Sequence, residues 1–216
     1  MVRRVRTSKR SLASLFFLLA GCEQSVAVQA PTRPSPSVSA ESGDRLTEFG
    51  VFPSKRFGVD LPLPTELEPW KIDDSKGPWL SASQGSHSTV LLRLWRSENR
   101  MNRDKCEAQA REMRALPSRE DSELLEVFSA DAPPGFDTQA EVRLATATDG
   151  RLFGFTLAFG GLGRRCFAYV FVTSDKSVAK DRVVGDRLAI MLERSFRKLR
   201  FVRDTELVPS REPGVD

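Results

Sequence analysis

Two neighbouring runs with no charge inside them restrict this chain more than anything else in it. Leu152-Phe153-Gly154-Phe155-Thr156-Leu157-Ala158-Phe159 is one, and Cys166-Phe167-Ala168-Tyr169-Val170-Phe171-Val172 is the other. In each, one parity is aromatic: Phe153, Phe155 and Phe159 in the first, Phe167, Tyr169 and Phe171 in the second. The other parity holds Leu, Gly, Thr, Ala, Cys and Val. Period-two patterning means strands, and strands apolar on both faces need cover on both sides. Small residues let a packed element approach closely, and Cys166 lies among them. Gly160-Gly161-Leu162-Gly163 reads as the hairpin turn between the runs. It leads from strand to strand with no helix start behind it, which argues against a phosphate cradle. The composition of the two runs leaves their register open.

Around this hairpin the chain reads as further strands and two helices. Phe57–Pro62 is a short strand stopped by proline, followed by Trp79–Ser83 and a stronger Thr89–Trp95. A helix is expected over Arg103–Ala115, with Asn102 as its N-cap and Pro117 beyond its end. Cys106, Ala110 and Met113 share one face of it. Leu124–Phe128 reads as an edge strand, and Ala140–Thr146 as a strand with one wet face. Asp149-Gly150 predicts a two-residue hairpin turn into the first uncharged run. A second helix is expected over Val178–Phe196, capped by Ser177, with Val184, Leu188, Met191 and Ser195 inward. Lys198–Phe201 closes the fold as a short strand. The expected class is α+β: one domain, its antiparallel sheet covered by helices on both faces.

The amino terminus carries Arg3, Arg4, Arg6, Lys9 and Arg10 with no acid, then an apolar run from Leu12 to Cys22. About 11 residues fall well short of the roughly 20 that a membrane-spanning helix needs, so the run reads as the core of a secretory signal peptide and not as a span. Its ending, Leu19-Ala20-Gly21-Cys22, resembles the lipobox of bacterial lipoproteins. The resemblance implies cleavage after Gly21, a diacylglyceryl thioether on Cys22 and acylation of the new amino terminus. Glu23 in place of Asp after that cysteine implies outer-membrane sorting, on the periplasmic side. The expected divisions are a signal peptide (1–21), a lipidated Cys22 with a Pro/Ser-rich tether (22–48), a globular domain (49–202) and a disordered tail (203–216). Pro31, Pro34 and Pro36 favour an extended tether, whose stretch from Glu23 to about Asp44 could reach some 70 Å at about 3.3 Å per residue.

Charge and cysteine content follow from that cut. The whole chain counts 33 basic against 29 acidic residues. Five of the basic ones precede Cys22, leaving 28 against 29 and no reason to expect a nucleic-acid partner. With Cys22 consumed by lipid, Cys106 and Cys166 remain as an even pair in an oxidising compartment, and a disulfide between them is expected. Two buried thiols are the alternative. One histidine and no Cys-x-x-Cys speak against zinc, so neither a metal nor a cofactor is expected.

No catalytic motif accompanies the polar residues. His87 sits in Gly85-Ser86-His87-Ser88 without a Gly-x-Ser-x-Gly elbow, and reads as a surface loop residue. Asp73-Asp74 and Glu120-Asp121 have neither calcium-loop nor glycosidase spacing. Trp70, Trp79 and Trp95 read as core, with an apolar groove as the alternative. Gly163-Arg164-Arg165 is a solvated hairpin end with some reach toward anionic headgroups.

Leu61-Pro62 with downstream Trp70, and Ile190 followed by Ser195-Phe196, resemble the early Pro/Trp signature and closing helix of the PsbP-like α/β/α sandwich superfamily. That resemblance covers about Phe49 to Phe201. It implies a domain that binds or assists other proteins and brings no catalytic residues with it. The resulting expectation is a lipid-anchored, non-enzymatic envelope protein, attached to the membrane through Cys22, whose periplasmic domain binds an unidentified protein or assists an assembly. The alternatives are an immunity-type or accessory lipoprotein acting on a secreted effector, and a hydrolase with an unrecognised site.

Overall fold

The computed structural model describes residues 48–65, 68–75 and 77–201. The expected signal peptide, Cys22, nearly all of the tether and the tail from 203 lie outside the described residues. In chain order the elements are β1 (Phe49–Ser54), β2 (Val59–Pro64), β3 (Lys71–Asp73), β4 (Leu80–Gln84) and β5 (Ser88–Arg96). Then come α1 (Arg103–Met113), β6 (Glu123–Ala130), β7 (Asp137–Thr146), β8 (Leu152–Leu162) and β9 (Arg165–Asp175). The chain continues through α2 (Lys180–Ile190), a π turn (Met191–Ser195), a 3₁₀ turn (Phe196–Lys198) and β10 (Arg200–Phe201). Two antiparallel sheets result. One runs β1-β2-β10 and the other β3-β4-β5-β9-β8-β7-β6.

The uncharged hairpin supplies two of the three central strands of the large sheet. Its register places large residues opposite small ones: Tyr169 faces Ala158, Phe159 faces Ala168, and Phe167 faces Gly160. Directly opposed side chains stand only about 5 Å apart at Cβ, so ring-against-small pairing lets both strands fill one layer. Phe167, Tyr169 and Phe171 join Val184 and Leu188 of α2, Met191, Phe196, and Val59, Leu61 and Leu63 of β2 in one apolar cluster. Cys166, Ala168 and Val170 of the other parity join Cys106 and Ala110 of α1 and Phe155, Leu157 and Phe159 of β8 in a second cluster. Each fully buried ring contributes on the order of 2 kcal/mol of transfer free energy. The class is α+β.

Several boundaries differ from the sequence expectation, each for an identifiable reason. β2 runs through Pro62 to Pro64, because β10 reaches only Val59 and Asp60 and leaves the rest of β2 an edge that tolerates proline. Gly160 and Gly161 belong to β8, paired with Phe167 and Cys166; only Gly163 and Arg164 lie between the paired ends of the hairpin, with Gly163 at φ 62°. The turn after β7 is longer than two residues: Ala147 N–H donates to Arg151 O at 2.9 Å, and Gly150 takes φ 79°. Asp149 Oδ1 accepts from Arg151 N at 3.0 Å, which stabilises the wider loop.

The helices are shorter than their apolar periodicity. α1 keeps Asn102 as its cap, whose side chain accepts from Lys105 N, but it stops at Met113 with Arg114 extended. α2 begins at Lys180 with Ala179 at the cap position. Ser177 is not the cap: its hydroxyl donates to the Asp175 carboxylate instead, and Val178 is fully exposed. Past Ile190 the inward stripe continues through the π turn, where Met191, Leu192 and Ser195 are buried.

Candidate functional site

β6 is the outermost strand of the large sheet and, among the described residues, pairs on one side only, with β7. Its Leu124, Leu125 and Val127 are 47%, 51% and 44% exposed. These are three of six large apolar residues that the described part of the molecule leaves in water. The pairing with β7 slips between Leu124 and Glu126, so Leu125 forms a bulge. Glu123 and Glu126 flank it, and both are exposed. Bulges and charges on an outer strand restrain indiscriminate pairing, while the remaining strand keeps an open backbone edge.

Buried charge fixes where this edge begins. Glu141 and Arg143 of β7 lie on the face expected to be wet, yet their side chains are only 13% and 11% exposed. Arg119, in the loop between α1 and β6, donates two hydrogen bonds to the Glu141 carboxylate, Nε at 2.9 Å and Nη2 at 2.8 Å. Arg119 Nη2 also donates to Glu107 of α1 at 2.8 Å, and Arg111 Nε donates to the same carboxylate at 2.8 Å. Arg143 donates to Glu141 at 3.0 Å, to Ser122 Oγ at 2.8 Å, to Ser122 O at 3.0 Å and to Arg119 O at 3.1 Å. The forked guanidinium suits such multiple acceptance. Burial acts to raise the Glu141 pKa, but the hydrogen bonds and charges of Arg119 and Arg143 outweigh it and hold the carboxyl below its ordinary range. The network ties the entry into β6 to α1 and β7.

Cys106 and Cys166 are joined, with their Cα atoms 5.4 Å apart. The approach depends on Gly161: a Cβ there would lie 2.7 Å from the Asn102 carbonyl carbon and 3.0 Å from Arg103 N, in the first turn of α1. Both cysteines are wholly buried. The bond ties α1, the support of the Arg119 network, to the centre of the sheet.

The remaining sequence candidates fall in separate places. His87 Nδ1 lies 3.0 Å from Ser88 Oγ, which also lies 3.0 Å from Thr173 Oγ1. Burial, reinforced by Arg187, pulls the His87 pKa below its ordinary value against the smaller opposing pulls of Glu68 and Asp175. Ser88 and Thr173 are buried, and Arg187 of α2 donates to Ser174 O at 3.2 Å. The group fastens α2 to the end of β9, with the Ser88 and Thr173 hydroxyls bonded to each other and Arg187 Nη1 donating to Thr173 Oγ1 at 3.5 Å. Asp74 accepts from Ser54 Oγ at 3.0 Å, Asp73 accepts from Ser75, and Glu120 and Asp121 are exposed.

Trp79 and Trp95 are 3% and 2% exposed and flank Arg93, whose guanidinium carbon is 5.9 and 5.6 Å from their rings. Neither forms a groove wall. Trp95 Nε1 donates to Gln109 of α1 at 2.8 Å, while Trp70 Nε1 donates to Pro64 O at 2.9 Å. Sequence reasoning missed Arg93, Glu141 and Arg143. The available signal was a charge recurring inside otherwise apolar strands. Among the described residues no three His, Cys, Asp or Glu side chains meet as a metal site would require.

No protein-family model matches this chain, and no curated protein matches it in sequence. Among solved structures, the solution structure of cyanobacterial PsbP (CyanoP) from Synechocystis sp. PCC 6803 is similar over 76% of this chain and 98% of its own. Its TM-score is 0.42 at 12% identity. A crystal structure from Bacteroides thetaiotaomicron VPI-5482 is similar over 72% of this chain at TM-score 0.39 and 12% identity. The chain spans about half of that protein, 49% of its length. Neither similarity assigns a family.

Proposed function

We propose that this is a lipid-anchored, non-enzymatic protein of the bacterial cell envelope whose domain binds a protein partner along β6 and so assists an envelope assembly. On this reading residues 1–21 are removed as a signal peptide and Cys22 carries the lipid. The tether then holds a PsbP-like α/β/α sandwich, with α1 and α2 on opposite faces of the large sheet, on the periplasmic side of the outer membrane. The observation that carries the binding reading is the long outer strand with Leu124, Leu125 and Val127 in water. An extended partner segment can add to such an edge through main-chain hydrogen bonds, with alternate side chains supplying specificity. Glu120, Asp121, Glu123 and Glu126 favour a segment bearing Lys or Arg between its apolar residues.

The test is site-specific photocrosslinking in cells. A benzophenone amino acid at Leu125 should give a discrete adduct with one envelope protein. The same probe at Val51, 60% exposed on β1, should not. Equal adducts from both positions, or none from Leu125, would remove the β6 assignment.

A further inference from the structure

The end of the large sheet formed by the β8–β9 tip carries charge with no use in this reading. Arg96 at the end of β5 lies directly across from Arg165 at the start of β9. Like charges placed directly opposite on adjacent strands repel, which an anion over the pair would relieve; the Arg165 guanidinium carbon also lies 5.9 Å from the centre of the Phe136 ring. Arg164 follows at the β8–β9 tip. Arg100 belongs to the segment after β5 that is bonded to the tip: Ser97 N–H donates to Arg164 O at 2.8 Å, and Met101 N–H to Gly163 O at 2.7 Å. All four arginines are exposed, and Leu162, 43% exposed, is the cross-strand partner of Arg165. Glu98 is the one acid between Arg96 and Arg100; Asp104 and Asp137 are each 3.6 Å from Arg103. A leucine among guanidinium groups matches an interfacial lipid contact, with the apolar side chain at the acyl boundary and the arginines on phosphates.

We propose that this tip, Leu162 with Arg96, Arg100, Arg164 and Arg165, docks the domain onto an anionic phospholipid surface. The chain makes such a surface reachable: 26 residues separate Cys22 from Phe49, and they span at most about 90 Å even when fully extended. Only that proximity rests on the anchor proposed above; the chemistry of the tip does not. Docking through the tip would turn one sheet end to the membrane and set the direction in which β6 faces its partner.

The test uses the chain from residue 22 with Cys22→Ser, so that no lipid contributes. Both apolar clusters lie between Phe52 and Phe201, so this chain keeps every residue that builds them. Co-sedimentation is measured with vesicles of phosphatidylethanolamine and phosphatidylglycerol, and with phosphatidylcholine vesicles. Binding should require phosphatidylglycerol and weaken as salt is raised. Arg164→Ala/Arg165→Ala should lower partitioning roughly thirtyfold, as expected for two basic residues at an anionic surface. Leu162→Ser should lower it further, while Arg182→Ala/Lys198→Ala, exposed basic sites elsewhere, should not change it. Circular dichroism of each variant should match the parent. Equal binding to phosphatidylcholine, an equal loss in the control variant, or binding to duplex DNA in place of vesicles would overturn the proposal. Because the anchor is absent, none of these results depends on whether Cys22 is lipidated.

Discussion

Gly154 is where the packing of α2 on the large sheet can be tested most sharply. It sits in β8 opposite Leu144 and Thr173, and a Cβ built on it would lie 2.5 Å from Val184 Cγ1 and 2.6 Å from Leu188 Cδ1. Both side chains are buried, at 0% and 4% exposure, so neither can swing into water. Overpacking of this kind costs about 1–3 kcal/mol, and the lower unfolded-state entropy of alanine returns roughly 0.5 of it. Gly154→Ala should therefore destabilise the domain by about 1–2 kcal/mol, or roughly 2–8 °C in Tm for a chain of this size. Leu188→Ala alone should cost about 2–5 kcal/mol through the cavity it leaves. In the double variant the new methyl enters part of that cavity, so the combined cost should fall short of the sum by about 1 kcal/mol. Urea unfolding followed by tryptophan fluorescence, with the disulfide intact, gives all four corners of the cycle. Additivity within about 0.4 kcal/mol, or a Gly154→Ala variant as stable as its parent, would refute the close approach of α2.

Other consequences are as specific. Replacing Cys106 and Cys166 together by alanine opens a bridge spanning 60 positions and should cost about 4 kcal/mol by chain entropy; thiol labelling of the denatured, unreduced protein should find neither residue free. Gly161→Ala should destabilise by about 2 kcal/mol or more, because the clash falls on α1 backbone that cannot rotate aside, and thermal unfolding reads it directly. The folded-state pKa of Glu141 is depressed, so its contribution is fully present above the ordinary carboxyl value of 4.5 and is lost as pH falls through the lower folded value. Glu141→Gln should thus be less stable than the parent at pH 7, and the difference should shrink in acid urea titrations; a constant difference would contradict the ion network.

The parts of the fold that could be read in the sequence are those with an unbroken local pattern. β8 and β9 declare themselves because neither parity of either run carries charge, and the Cys106–Cys166 pairing follows once Cys22 is set apart. β1 has no strand signal because Gly50 and Pro53 look like loop residues, yet both are tolerated on the outer strand of a small sheet. The face of Ala140–Thr146 that the sequence marks as wet is buried for a different reason. The partners that make Glu141 and Arg143 compatible with burial are Arg119 and Ser122, some 20 residues away, and no periodicity reports a partner brought in by a loop. α2 ends before its apolar periodicity does because the inward stripe continues through the π turn, so the apolar signal outlasts the regular helix. At the candidate edge, Leu124–Phe128 reads as an outer strand from its flanking acids and prolines. Its exposure emerges only when the sheet order leaves β6 with one neighbour.

The measurement closest to the central claim is the mass of the amino-terminal peptide from protein recovered in the membrane fraction. The account predicts that the peptide begins at residue 22 and carries a diacylglyceryl thioether and an amide-linked acyl chain. A peptide that still contains residues 1–21, or an unmodified Cys22 thiol, would contradict it.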